Sequence, residues 1–443
     1  MDFLNGKIRP IYFKYLAAAF GSALIGSIYS VVDMAMVGQY HGPDGTAALA
    51  VVAPIWNIIY SLGLLMGIGG SVIFSTIKGK DSKDNSANEF FSTSVIGSVV
   101  LASIAWFGIV FFDKQLLTLF GSSSDLLPLG QRYLMPIKFV LPLFLFNQML
   151  SAYLRNDNDP TLATVAVLAG GIFNVFGDYF FVFGLDMGIF GAGLATALGT
   201  TFSFIVMMIH FMKKKNTLKL VKPQQIIQKI TKISVTGFST FFIDVAMGIL
   251  TILFNRQIMK YLGANALSVY GMIVNISTFV QCCAYSVGQA AQPIISVNFG
   301  ASQANRIKAV LKYALATVAF FSIVWVVVIL WKPMLFVNIF MTPTKEIIEI
   351  APHIVRTYGL SFALLPLNIF STYYFQAILR PKASFVVSVA RGLVISGICI
   401  MVLPVMNVNA LWFAMPITET IVAIYAVILM IKYTKRLSLK EVD

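Results

Sequence analysis

Four acidic residues lie in stretches where acids are costly. Asp33 sits in SIYSVVDMAMVGQ, Asp178 in GIFNVFGDYFFVFG, Asp244 in STFFIDVAMG and Glu419 in PITETIVAIY. An ionised side chain near the centre of a bilayer costs about 2.5–3.5 kcal/mol on insertion scales, so such a group is kept for a task or for a partner. Asn174 precedes Asp178 by four residues, which puts both on one face of a helix. Thr196 follows in the next apolar run, GIFGAGLATALGTT, whose small residues allow close backbone approach. Asp33, Asn174, Asp178 and Thr196 can therefore supply oxygens to a hard monovalent cation, or Asp33 and Asp178 can share a proton. The plainer alternatives are an acid that snorkels from a helix end or pairs structurally, which weighs most for Asp244 and Glu419, and a Thr196 hydroxyl bonded back to its own helix.

Other chemistry is thinly represented. His41, His210 and His353 fall at predicted helix ends without partner spacing, and no Gly-rich Lys-Ser/Thr nucleotide loop or paired metal-ligand motif occurs. No catalytic residue is assigned, no cofactor is expected, and any driving energy comes from an ion gradient. GIGGS at 67–71 lies inside an apolar run and reads as a close-packing surface rather than a phosphate cradle. Cys282, Cys283 and Cys399 sit in apolar segments and read as buried thiols.

The elements that must hold these residues are membrane helices. Of 443 residues, 58% are apolar and 11% charged, with mean hydropathy +0.83. A soluble domain carries roughly a quarter charged residues, so most of this surface faces lipid. The expected spans are 12–38, 46–76, 90–112, 128–152, 161–183, 188–212, 232–261, 266–297, 308–331, 350–378, 384–404 and 409–433, an all-α membrane fold of about twelve helices. The first run is too long for the core of a signal peptide and reads as the first span. The net charge of +14 resides in short patches between apolar runs, the mark of membrane orientation rather than of nucleic-acid binding. Basic residues concentrate on alternate connections, above all Lys213, Lys214, Lys215, Lys219, Lys222, Lys229 and Lys232. That bias places both termini in the cytoplasm and makes the chain a multi-pass protein of a prokaryotic inner membrane.

The Lys-rich stretch also divides two similar halves. Residues 47–90 and 265–310 share a layout of apolar run, small-residue segment and polar turn, and YLRNDNDP near 153 parallels AILRP at 377–381. The expected domains are a six-helix lobe at 1–212, a cytoplasmic linker at 213–231 acting mainly as a tether, a second six-helix lobe at 232–433 and a tail at 434–443. Two bundles in the same orientation are related by a pseudo-twofold axis along the membrane normal.

These segments resemble the multidrug and toxic compound extrusion (MATE) family, of the multidrug, oligosaccharide-lipid and polysaccharide exporters, over nearly the whole chain. VVDMAMVGQ, NVFGD and GAGLAT are similar to the segments that build a cation site in the N-terminal lobe of sodium-binding members. The resemblance marks Asp33, Asn174, Asp178 and Thr196, with the Ala192 carbonyl as a further ligand. Asp244 matches an acid of the MepA-like branch, while the run 360–381 offers Asn368 and Gln376 where some members carry a second acid. The resemblance implies Na+ or H+ antiport of amphipathic, often cationic, small molecules by alternating access, in a monomer within the lipid bilayer. Tyr29, Trp56, Tyr60, Phe144, Phe146, Asn147, Gln281, Tyr285, Asn368 and Gln376 are the candidates for a substrate cavity, the aromatic rings offering their faces to organic cations. A lipid-linked oligosaccharide flippase of the same superfamily is the runner-up; it needs a cationic cavity, for which only Arg391 and Lys138 are at hand. A receptor or scaffold would not need buried acids.

Overall fold

A computed structural model describes residues 2–82, 84–340 and 343–439; Lys83 and the last four residues of the expected tail lie outside them. Among the described residues, eleven helices are long and apolar enough to cross a membrane, or twelve when one bent pair is counted as a single span. Spans 1 to 6 are Ile8–His41, Asp44–Lys80, Ser86–Leu119, the pair Leu127–Ile137 and Leu141–Asn156, Pro160–Gly184 and Gly188–Met212. Spans 7 to 12 are Ile226–Tyr261, Gly263–Gly300, Ala304–Trp331, Lys345–Ala377, Pro381–Met406 and Val408–Leu437. Helices are what lipid demands, because each closes its own backbone hydrogen bonds where no water can. The protein is a multi-pass, all-α membrane protein.

Proline sets the breaks. Span 4 bends by 62° ahead of Pro142, and span 10 tightens to a 3-10 turn at Leu360–Ala363 ahead of Pro366. Each proline lacks an amide proton and crowds the carbonyl four residues earlier, which favours a kink or a break on its N-terminal side. The two sites read Leu-Pro-Leu in both halves. The repeat extends to the turns that follow. Asn158 and Leu379 both adopt positive φ, of 65° and 53°. The amides of Asp159 and Arg380 then donate to the carbonyls of Leu154 and Phe375, at 2.8 Å in each case. Pro160 and Pro381 open the next helices, the position where a missing amide proton costs nothing.

By contacts the chain divides inside span 7: Ala17–Phe241 form one unit, and Phe242–Asp443 form the other together with Asp2–Leu16. The sequence drew that division at the Lys-rich connection instead. The physical reason is that the connection packs on the N-terminal unit. The backbone amides of Lys219 and Val221 donate to the side chains of Asn88 and Ser92 at 3.1 and 2.8 Å, and Leu218 is buried. Lys229 Nζ reaches Glu89 Oε2 at 2.7 Å. Residues expected to form a tether are therefore a docked strap. Residues 2–16 are likewise bound to the second unit, where Arg306 donates to the carbonyls of Phe3 and Gly6 at 2.7 Å each.

Candidate functional site

Glycines in spans 5 and 6 assemble the polar cluster of the N-terminal unit. A Cβ on Gly170 would lie 2.6 Å from the Gly199 carbonyl oxygen, and one on Gly199 would lie 2.7 Å from that of Gly170. On the other side of span 6, a Cβ on Gly193 would stand 2.1 Å from the Tyr133 carbonyl oxygen. Without side chains at these crossings, spans 4, 5 and 6 close to backbone contact. Asn174 Nδ2 thereby donates to Thr196 Oγ1 at 3.1 Å. Tyr133, on span 4, donates its hydroxyl to Asp33 Oδ2 at 3.0 Å, and that hydroxyl lies 3.5 Å from Thr196 Oγ1. A chain of contacts thus runs from Asp33 through Tyr133 and Thr196 to Asn174. Asp178 lies one helical turn beyond Asn174 on span 5, fully buried, within electrostatic reach of Asp33.

The oxygens left over are the distinctive feature. Asp33 Oδ1, Asn174 Oδ1 and both carboxylate oxygens of Asp178 are buried without a hydrogen-bond partner. A buried carboxylate without a partner is too costly to persist as a bare anion, so protons or a small cation must accompany it. An all-oxygen donor set suits Na+ as well as H+. Among the described residues, no group of three His, Cys, Asp or Glu side chains is placed to hold a metal ion, so a cation at this cluster would draw on amide and hydroxyl oxygens as well as carboxylates. Ala192 is buried on the same helix as Thr196. Within that helix its carbonyl accepts the Thr196 amide, which leaves one lone pair to offer.

A cavity of about 70 Å³ adjoins the cluster, lined by Asn174 and Thr196 together with Tyr29, Tyr60, Phe144 and Asn147. The Tyr29 and Tyr60 hydroxyls meet at 3.1 Å. Asn147 Nδ2 donates to the Thr200 carbonyl at 3.0 Å, and its Oδ1 has no partner. Trp56 stands outside the lining and packs on Phe144 with ring centroids 4.5 Å apart. Phe146, half-buried on the same helix as Phe144, does not line the cavity. The space admits a few water molecules or an ion, so it is too small for a drug-sized molecule.

The remaining candidates belong to the C-terminal unit and do not converge in the same way. Asp244 accepts from the Tyr285 hydroxyl at 3.2 Å. Glu419 is held at one oxygen by Arg391 Nε at 2.7 Å and at the other by Asn368 Nδ2 at 2.6 Å. Glu419, for which the sequence left open a secondary acidic or substrate-contacting role beside a structural pairing, is thus the partner of a largely buried cation, and Asn368 serves that pair. Gln281 donates to Met247 Sδ at 3.5 Å and lines a cavity of about 50 Å³ with Ser277, Tyr358 and Arg391. Gln376 is fully buried.

The family model for MatE matches residues 18–180 and 239–403, once in each half of the chain. The chain belongs to the MATE family. Members are transporters rather than enzymes. The multidrug export protein MepA of Staphylococcus saprophyticus is 23% identical over 427 residues, covering 95% of this chain and 93% of its own. A Staphylococcus aureus MepA is 24% identical over 420 residues, with 94% and 92% covered. Among solved structures, a multidrug resistance MATE transporter in an outward-facing conformation superposes with a TM-score of 0.89 at 18% identity, over 98% of each chain. A transporter of the wider superfamily from Pyrococcus furiosus, described as having a binding pocket of reversed polarity, also gives 0.89 at 18%, again over 98% of both chains.

In this MATE chain, two polar centres escaped the sequence reading. Tyr133 links Asp33 to Thr196, yet in sequence it is one aromatic among many. The available signal was that a buried tyrosine hydroxyl needs a polar partner. The second centre corrects the reading of the histidines. His41 Nε2 accepts the Ile189 amide at 3.0 Å at the start of span 6. His210 is fully buried with its ring nitrogens 2.7 Å from Asp157 Oδ2 and 3.1 Å from Asp159 Oδ2. Lys213 and Lys215 reach Asp159 at 3.0 and 2.7 Å, and the Thr217 amide donates to Asp157 at 2.9 Å. Burial pushes the Asp159 carboxyl up, but hydrogen bonds from His210, Lys215 and Lys213 outweigh it and hold the group well below the usual carboxylate range.

Proposed function

We propose that this chain is a secondary antiporter that exports amphipathic, cationic small molecules from the cytoplasm in exchange for Na+ or H+, by alternating access. The observation that carries the reading is the cluster of partnerless buried oxygens on Asp33, Asn174 and Asp178 beside an aromatic-lined cavity in the N-terminal unit. A cation or proton at that cluster neutralises the acids. Its loss leaves a charge that favours a different conformation or an organic cation, which is the differential binding that an exchange requires. Each tenfold ion gradient contributes about 1.4 kcal/mol to such an exchange. The naming of the MepA relatives as multidrug export proteins agrees with this substrate class. The protein acts as a monomer in the inner membrane, both termini and the Lys-rich strap being cytoplasmic in accord with the positive-inside bias.

The flippase reading loses support, because both cations it would recruit are already paired: Lys138 with Asp113 at 2.6 Å and Arg391 with Glu419 at 2.7 Å. The deciding experiment is efflux of an organic cation from proteoliposomes with Na+ and pH gradients imposed separately. Export that follows neither gradient would overturn the antiport reading.

A further inference from the structure

The C-terminal unit holds a cation that cannot leave. Arg391 lies in the π-helical segment Ala390–Val394 of span 11. In span 5, at the same place in the order of the N-terminal unit, the π-helical segment Tyr179–Gly184 follows directly on Asp178. A π-turn inserts one extra residue into the helix and re-aims the side chains beside it, and such turns recur at functional sites. A Cβ on Gly392 would lie 2.5 Å from the Ala246 Cβ, so span 11 presses against the helix that carries Asp244. Arg391 points inward, its side chain 11% exposed, onto a Glu419 with no exposed surface.

The two units satisfy their buried acids by opposite means. Both carboxylate oxygens of Asp178 lack partners, whereas both of Glu419 are engaged, by Arg391 Nε at 2.7 Å and Asn368 Nδ2 at 2.6 Å. Asn368 Nδ2 also donates to the Glu419 backbone carbonyl at 2.9 Å, which ties the acid to span 10. A guanidinium keeps its charge at any pH a cell meets and cannot diffuse away.

We propose that Arg391 is a tethered substitute for a coupling ion, so that this chain exchanges ions at the N-terminal cluster alone while Glu419 stays permanently neutralised. The proposal rests on the antiport reading for its meaning in transport, but its central claim concerns binding and is tested without transport. Removal of the guanidinium leaves a buried carboxylate held by one amide, which must then recruit a proton or a sodium ion from solution. Retention of the guanidinium denies Glu419 any such exchange.

The test is a count of bound ions on the purified full-length protein, by pH-stat for protons and by radioactive sodium for Na+. Arg391→Met should bind one more proton or sodium ion per chain near neutral pH than the unaltered protein. The double change Arg391→Met with Glu419→Gln should remove that gain, and Glu419→Gln alone should leave the original count unchanged. A lower count in Glu419→Gln would overturn the proposal, because Glu419 would already be an exchange site. An unchanged count in folded Arg391→Met would overturn it as well, because the guanidinium would then be a packing element. Should Arg391→Met fail to fold, Glu419→Gln and the double variant still decide: counts equal to the unaltered protein support the proposal and lower counts defeat it. Failure of the antiport reading shows separately, as organic-cation efflux from proteoliposomes of unaltered protein that ignores both gradients.

Discussion

The N-terminal unit buries Asp33 and Asp178 with three carboxylate oxygens unpartnered, while the C-terminal unit buries Glu419 with both oxygens bonded. The spans that frame these groups follow the same order and break at the same Leu-Pro-Leu step. One scaffold therefore holds an acid in two conditions, and the neighbouring helix decides between them. Where that neighbour supplies only neutral groups, the acid has no built-in counter-charge; where it supplies Arg391, the counter-charge is built in. A second contrast lies at the turns after spans 4 and 10. In the N-terminal unit the turn is acidic, and Asp157 and Asp159 hold His210 and the lysines that follow span 6. In the C-terminal unit the turn is basic, and the Arg380 guanidinium lies 5.1 Å from the ring centroid of Tyr433 near the end of span 12. Each turn anchors the end of the last helix of its own unit, with reversed charge.

The sharpest way to break the first contrast is Asp33→Asn. Coupled efflux should fall to background with normal insertion, since the change removes the charge and preserves the shape. Normal drug resistance at equal expression would show that Asp33 has only a packing role. Asp178→Asn should come next, and the Asp33→Asn, Asp178→Asn double variant should add little to either single change. The cycle should give a coupling energy of about 1–3 kcal/mol. Additive losses would mean that the two acids serve separate sites. Tyr133→Phe retains the ring and loses a hydrogen bond that favours the ionised form of Asp33, worth about 1.5–3 kcal/mol, so proton binding at the cluster should tighten roughly tenfold or more. An unaltered ion titration would remove Tyr133 from the cluster.

Asp244→Asn should cost much less than Asp33→Asn, no more than about threefold in coupled efflux, under 1 kcal/mol. Equal losses at the two positions would shift the exchange site toward the C-terminal unit. The smallest functional effect is expected at the strap, and labelling reads it best. In a background lacking Cys282, Cys283 and Cys399, maleimide should react slowly with Leu218→Cys and faster once Asp157→Asn or His210→Ala loosens the clamp. The depressed folded pKa of Asp159 means that its contribution to stability is present above the usual unfolded value of about 4 and is lost only as pH falls through the lower folded value. Labelling, measured relative to a fully exposed cysteine so that the roughly tenfold fall in thiolate between the two pH values cancels, should accordingly stay flat between pH 6 and pH 5. A rise in that interval would show that the Asp159 ion pairs do not hold the strap.

Several properties of this chain were legible one segment at a time. Hydropathy located the eleven long helices and the bent pair to within several residues, because insertion into lipid is a local property of about 20 consecutive side chains. The cost of burying charge singled out Asp33 and Asp178, the four-residue spacing put Asn174 beside Asp178, and the small residues of GIGGS announced close packing. A Cβ on Gly67 would indeed meet the Met149 Cα at 2.8 Å. Which acid is free and which is neutralised was not legible, because that depends on partners far apart in sequence. Tyr133 lies 100 residues from Asp33, His210 lies 53 from Asp157, and Glu419 lies 28 from Arg391. A buried charge is stabilised by whatever touches it, and only the packing of helices against one another decides what that is. Tertiary structure therefore turned four similar acids into a cluster with three unpartnered carboxylate oxygens, a tyrosine-bonded carboxylate and a closed ion pair.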